Sequence, residues 1–301
     1  MRIVSLLPGA TDIVAALGAG DTLVGVTHEC EAPARASPVP IVTRSAIPSH
    51  APAGEVDRLV RAASERGEAL YALDEALIAA LAPDVILTQA VCDVCAVREG
   101  DVRALADRLT GSPIVVTLGA GTLDGVMDDI LSVGRALELE GRARTVVAAL
   151  VHRMRDVHEA LGRAAAPRPR VAVIEWTDPI FTAGHWVPEM VHRAGGIEVM
   201  ARAGERSRAV ADADVASASP DVVIMAPCGY ALERAVAEGH ALAHTEAWRW
   251  MARARVWAVE ARALLSRPGP GLVTGVETLA AILHPAIFPP PDTDRAVLLH
   301  S

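Results

Sequence analysis

A chain of 301 residues with 51% hydrophobic residues is long and apolar enough to bury two cores of ordinary domain size, which excludes a disordered segment. Its formal net charge of -9, with no long run of Lys or Arg, excludes the clustered cations that a nucleic-acid partner requires. No stretch approaches the ~18 uncharged apolar residues of a membrane span, so the chain is not expected to be membrane-embedded.

The opening Ile3-Val4-Ser5-Leu6-Leu7 is too short for the ~7–15-residue apolar region of a secretory signal, and it stops at Pro8-Gly9. It reads as a buried strand, and a cytoplasmic location is expected. In that compartment the four Cys stay reduced, which favours metal or redox roles over disulfides. Thr11–Leu17 reads as a helix whose start Thr11 can cap. Leu23–Thr27 is a strand ending at His28-Glu29-Cys30. Helical patterns follow over Glu55–Ser64 and Asp74–Leu81, with a short extended piece at Leu70-Tyr71 between them. Val85–Thr88 is a strand, Val102–Leu109 a helix and Ile114–Val116 a strand. Strands separated by helices imply parallel pairing.

From Leu123 to about Ala165 no strand pattern occurs. Val126, Ile130, Val133 and Leu137, then Val146, Leu150 and Met154, recur at helical spacing, with a break expected at Gly141. Pro167 and Pro169 close this stretch. A second α/β set follows, with strands at Val171–Ile174, Val222–Met225 and Val256–Val259. Helical patterns lie at Val187–Ala194, Leu232–Glu238, Thr245–Trp250 and Val273–Leu283, and Pro289-Pro290-Pro291 marks an extended tail. The predicted organisation is an N-terminal α/β lobe (1–121), a linking helix (122–167), a C-terminal α/β lobe (168–284) and the tail (285–301). The fold class is thus α/β, with two Rossmann-like lobes on parallel sheets, a long backbone helix, and a ligand cleft between the lobes.

Four stretches of the first lobe carry a resemblance: Ile3–Ile13 (IVSLLPGATDI), Leu17–Asp21 (LGAGD), Val24–Thr27 (VGVT) and Leu81–Thr88 (LAPDVILT). The second lobe adds Phe181–Gly184 (FTAG) and Ser219–Ile224 (SPDVVI). In order and spacing these resemble the helical-backbone class of substrate-binding proteins, whose members bind cobalamin, siderophores, haem, or zinc and manganese ions, and the cobalamin-binding branch looks nearest. The resemblance implies a small-molecule metal chelate or metal ion as ligand. An ABC permease is the partner it would imply for an exported importer component.

In open parallel sheets ligands sit beyond the carboxyl ends of the strands. The candidate cofactor-binding residues there are Pro8, Thr11, His28, Tyr71, Gln89, Trp176, Phe181, Trp186 and Tyr230. An indole at a strand end can stack on a flat macrocycle, which points to Trp176 and Trp186. With aromatics only 3% of the chain, these positions stand out. The helix start after Gly184-His185 offers backbone amides to an anionic group.

All four cysteines fall on strand-end segments. Cys92-Asp-Val-Cys95 can bring two thiolates to one ion, Cys30 comes from the same lobe and Cys228 from the other. Together with His28 they are candidate ligands for zinc or an iron–sulfur cluster. The leading expectation is a binder of cobalamin or a related corrinoid, or another metal chelate. The alternative is a metalloprotein with a Cys-ligated cluster or zinc, used in sensing, electron transfer or catalysis. No P-loop, dinucleotide fingerprint or nucleophile elbow occurs, so binding rather than catalysis is expected.

Overall fold

The computed structural model describes residues 1–30, 38–48, 50–90 and 97–300. They divide into two compact units, Met1–Ala120 with Asp124–Ala148, and Gly121–Leu123 with Ala149–Ser301. The first unit runs β1 (Ile3–Ser5), α1 (Pro8–Ala16), β2 (Leu23–Val26), β3 (Thr43–Ser45), α2 (Ala53–Arg66), β4 (Tyr71–Leu73), α3 (Glu75–Leu81), β5 (Val85–Gln89), α4 (Glu99–Ala106) and β6 (Ile114–Leu118). Its main sheet has the order β2-β1-β5-β6, parallel throughout. Such strands are covered on both faces, which is why β1 and β5 are short runs with every residue buried. β3 and β4 form a separate antiparallel pair with Ser45 opposite Tyr71.

Local chemistry sets the ends of the helices. Pro8 occupies the first helical position of α1, where its missing N–H costs nothing. Asp74 Oδ1 accepts from Leu77 N at 3.1 Å and caps α3. Gly67, with φ of 67°, closes α2 in the left-handed conformation that glycine tolerates best. Thr11 does not cap α1 as expected. It lies one turn inside the helix and its hydroxyl turns back to Ser5 Oγ at 2.8 Å.

The helical stretch expected over 122–167 is two helices, α5 (Leu123–Ala136) and α6 (Glu140–Arg163). The break falls at residues 137–139, where Glu138 has a φ of 57°, and not at Gly141, which lies in the first turn of α6. Its 24 residues make α6 about 36 Å long.

The second unit continues with β7 (Arg170–Thr177), β8 (Ile180–Thr182), α7 (Val187–Arg193), β9 (Ile197–Glu198), α8 (Asp212–Ser217), β10 (Val222–Met225), α9 (Leu232–Ala243), β11 (Arg255–Val259), α10 (Ala261–Leu264), α11 (Gly271–Leu283) and β12 (Ala296–His300). The stretch expected as a helix at Thr245–Trp250 falls instead in 3-10 turns over Glu246–Arg253. The sheet order is β12-β11-β10-β7-β8, with β9 also on β7. This sheet is mixed rather than purely parallel, because β8 and β12 run antiparallel to their neighbours. The C-terminal tail ends as the edge strand β12, with Leu298 opposite Trp257. Trp248 is the largest fully buried side chain, in a core with Ile174, Met225, Val223 and Val256. Among the described residues no helix is long and apolar enough to cross a membrane.

Candidate functional site

The carboxyl end of the first unit's sheet is lined by buried hydroxyls. Ser5 ends β1, Thr27 follows β2 and Thr88 lies near the end of β5, all 4% exposed or less. Thr11 Oγ1 donates to Ser5 Oγ at 2.8 Å, and Ser5 Oγ donates to Leu7 O at 3.1 Å. The same Thr11 oxygen lies 3.0 Å from Cys30 Sγ. A second set surrounds His28. Thr43 Oγ1 meets the His28 backbone N at 3.0 Å and ring Nδ1 at 2.7 Å, and donates to Thr27 Oγ1 at 2.9 Å. Glu29 Oε1 stands 3.3 Å from Nε2, and the Tyr71 ring lies 5.4 Å from the imidazole at 31°. The β3–β4 pair brings these groups in, since it carries both Thr43 and Tyr71.

The second unit ends its sheet differently. Trp176, at the end of β7, lies 5.1 Å from the Tyr230 ring at 57°, a tilted aromatic pair. The Arg234 guanidinium covers the Tyr230 ring at 3.6 Å, a cation–π contact from the first turn of α9. Burial pushes the Tyr230 phenol up to about 12, with Arg234 pulling the other way. Phe181 of β8 is the cross-strand neighbour of Trp176. Thr177 Oγ1 donates to Glu238 Oε2 at 2.6 Å, which ties this corner to α9.

The predicted residues thus fall into groups. His28 and Tyr71 meet in one unit, as do Thr11 and Cys30, and Trp176, Phe181 and Tyr230 meet in the other. Gln89 is buried at the end of β5, and Pro8 opens α1. Trp186 belongs to the interior instead of a ligand face. It is 6% exposed and its indole N–H donates to Leu265 O at 2.7 Å. The amides expected at the start of α7 are also engaged, because His185 N donates to Glu205 O at 2.6 Å and Gly184 packs directly under the Ser207 backbone.

The expected zinc or iron–sulfur site is not assembled by what is described. No group of three or more His, Cys, Asp and Glu suited to a metal ion occurs among the described residues. Cys30 faces the Thr11 hydroxyl, Cys228 is exposed on the turn after β10, and Cys92 and Cys95 lie outside the described residues. Of the two described cysteines, Cys30 lies beyond β2 in the first unit and Cys228 beyond β10 in the second.

Sequence reading passed over Thr43, Arg234 and Glu238. The i, i+4 spacing of Tyr230 and Arg234 at a helix start was the available signal for the second. Thr43 carried none, because its partner lies 15 residues away in the sequence.

A family model described as periplasmic binding protein matches residues 3–250. The chain belongs to that family. Its fold is shared with a periplasmic heme binding protein from Pseudomonas aeruginosa, at 20% identity and a TM-score of 0.68, covering 99% of this chain and 97% of that one. The apo periplasmic heme-binding protein RhuT from Roseiflexus sp. RS-1 matches at 22% identity and 0.66, over 95% and 98%. The periplasmic vitamin B12 binding protein BtuF of Vibrio cholerae matches at 23% identity and 0.62, over 95% and 97%. No curated protein matches by sequence. As a family member the chain is a ligand binder of the periplasmic-binding-protein type, with two α/β units as the resemblance implied.

Proposed function

We propose that this binding protein takes a flat metal chelate, a corrinoid or a porphyrin. The observation that carries the reading is the Trp176–Tyr230 pair at the carboxyl end of β7 and β10, the side of an open sheet where ligands sit. An indole backed by a second ring presents a rigid face that stacks on a macrocycle with little loss of side-chain entropy. Phe181 extends that face from the neighbouring strand. Within the first unit, His28 beyond β2, flanked by Tyr71, is a nitrogen donor of the kind a chelated metal takes. Structural neighbours at this fold bind heme and vitamin B12, which supports the ligand class.

The test is calorimetry and tryptophan fluorescence with hydroxocobalamin, cobinamide and hemin under reducing conditions. Binding is expected to quench Trp176, and Trp176→Ala is expected to lose most of both the quenching and the affinity. No heat and no spectral change with any of the three would remove the reading.

A further inference from the structure

One buried oxygen holds the His28 ring. Thr43 Oγ1, on a residue only 2% exposed, lies 3.0 Å from His28 N and 2.7 Å from Nδ1, and it donates to Thr27 Oγ1 at 2.9 Å. A hydroxyl has one proton and two lone pairs. Here the proton goes to Thr27 and one lone pair takes the backbone N–H. Thr27 Oγ1 also lies 3.4 Å from Nδ1, at the limit of a hydrogen bond, so the 2.7 Å contact with Thr43 dominates; the remaining lone pair of Thr43 accepts, which favours the ring proton on Nδ1. Nε2 then keeps its lone pair. That atom is shielded from solvent and makes no hydrogen bond, although Glu29 Oε1 lies 3.3 Å away. A bare nitrogen with a carboxylate beside it repels another anion and attracts a cationic centre.

We propose that Thr43 is a positioning residue, which fixes His28 as the Nδ1–H tautomer and leaves Nε2, with the Glu29 carboxylate next to it, for the metal of a bound chelate. The ligand half rests on the chelate reading above, whereas the tautomer half does not. The logic is that of outer-shell partners in general. A histidine that donates one ring N–H to an oxygen is fixed in orientation and made a better donor at its other nitrogen.

The first measurement uses the full-length chain without ligand. In ¹⁵N-labelled protein held above neutral pH, long-range proton–nitrogen correlation separates protonated from bare ring nitrogens, and His28→Gln assigns the signals. Wild type and Thr43→Ser are expected to show a protonated Nδ1 and a bare Nε2. Thr43→Val is expected to move toward the Nε2–H form that an unconstrained neutral imidazole prefers. A wild-type ring with its proton on Nε2 reverses the relay and overturns the proposal, and that result needs no variant to fold. The second measurement titrates hemin and hydroxocobalamin into each protein and reads the visible band. Thr43→Val should weaken binding by about 10–100-fold, as loss of an outer-shell partner does, and Thr43→Ser should restore it. A folded Thr43→Val that binds like wild type overturns the positioning role. The expected tautomer with neither probe bound overturns the ligand half and the chelate reading together, while the ring assignment stands.

Discussion

At the carboxyl end of the first unit's sheet the working groups are short and oxygen-bearing: Ser5, Thr11, Thr27 and Thr43 pass hydrogen bonds among themselves and on to His28 and Cys30. At the equivalent end of the second unit's sheet they are broad and aromatic: Trp176 meets Tyr230 as a tilted pair, Phe181 is its cross-strand neighbour, and Arg234 covers the Tyr230 ring. The two arrangements solve different problems. A pair of buried hydroxyls, Thr27 and Thr43, fixes the orientation of one ring, but each member is committed, because a buried partner left alone carries its full desolvation cost. An aromatic ledge orients little but offers area, and its contributions add gradually. The first unit is therefore suited to directing a donor atom, and the second to receiving a face.

That contrast can be broken most severely below the ledge. Trp248 is fully buried beneath the second unit's sheet, and Trp248→Ala is expected to cost about 3–5 kcal/mol in denaturant unfolding, through lost burial and the cavity it leaves. The hydroxyl chain above β1 should be left intact, which the Cys30 and His28 environments report by NMR. A loss below about 1 kcal/mol would show that the core collapses around the vacancy and that the ledge has no firm base.

A second test exploits a group that neither arrangement uses. Glu198 of β9 accepts from Met200 N at 2.8 Å, its other oxygen is buried without a hydrogen bond, and burial pushes its carboxyl up to about 7 from an ordinary 4.5. The folded state thus binds this proton more tightly than the unfolded state does. Its contribution is fully present below about 4.5 and is lost as pH rises through about 7. Wild-type stability should fall across that window. Glu198→Gln, which cannot ionise, should match wild type near pH 5 and exceed it at pH 8 by of order 1–3 kcal/mol, because only the carboxylate pays to ionise in a buried site and each pKa unit is worth about 1.4 kcal/mol. Parallel pH profiles for the two proteins would refute the buried charge.

The hydroxyl chain has its own signature. Thr11→Val keeps the shape but removes the donor to Ser5 Oγ and the hydroxyl beside Cys30 Sγ, and should cost about 1–2 kcal/mol. Adding Ser5→Ala removes the acceptor that lost its donor, so the double variant should recover part of the loss. Strict additivity in a double-mutant cycle would mean the two hydroxyls are not coupled.

How far these features could be read from the sequence follows from their range. The buried strands were legible because a parallel sheet covered on both faces demands an unbroken apolar run, as at Val85–Leu87 and Val222–Met225. The two-residue strand Ile197–Glu198 and the edge strand after Pro289-Pro290-Pro291 were not, since their state depends on a neighbour rather than on their own pattern. Among the candidate site residues, the positions of His28, Trp176 and Tyr230 were legible because each stands at or just beyond a strand end. Trp186 sits in a similar place, yet it turns inward to Leu265 O, and nothing local reveals which way an indole points. Thr43 is an ordinary residue in the sequence and becomes special only when the fold brings it to the imidazole. Glu198 between two apolar residues likewise gives no hint that its carboxyl is buried.

The smallest expected effect on stability is the sharpest test of the ledge. Trp176 is half-buried, its indole N–H donates to Asp178 O at 3.2 Å, and its ring meets Tyr230 at 5.1 Å. Trp176→Ala should therefore destabilise the free protein by no more than about 0.5–1.5 kcal/mol, the scale of one aromatic pair. A core tryptophan would cost several times that, as argued for Trp248. The same substitution removes most of the stacking face, so the loss of chelate affinity should be larger than the loss of stability. If stability fell by 3 kcal/mol or more with affinity unchanged, Trp176 would be a structural residue like Trp248. The contrast between a directing unit and a receiving unit would then lose its second half.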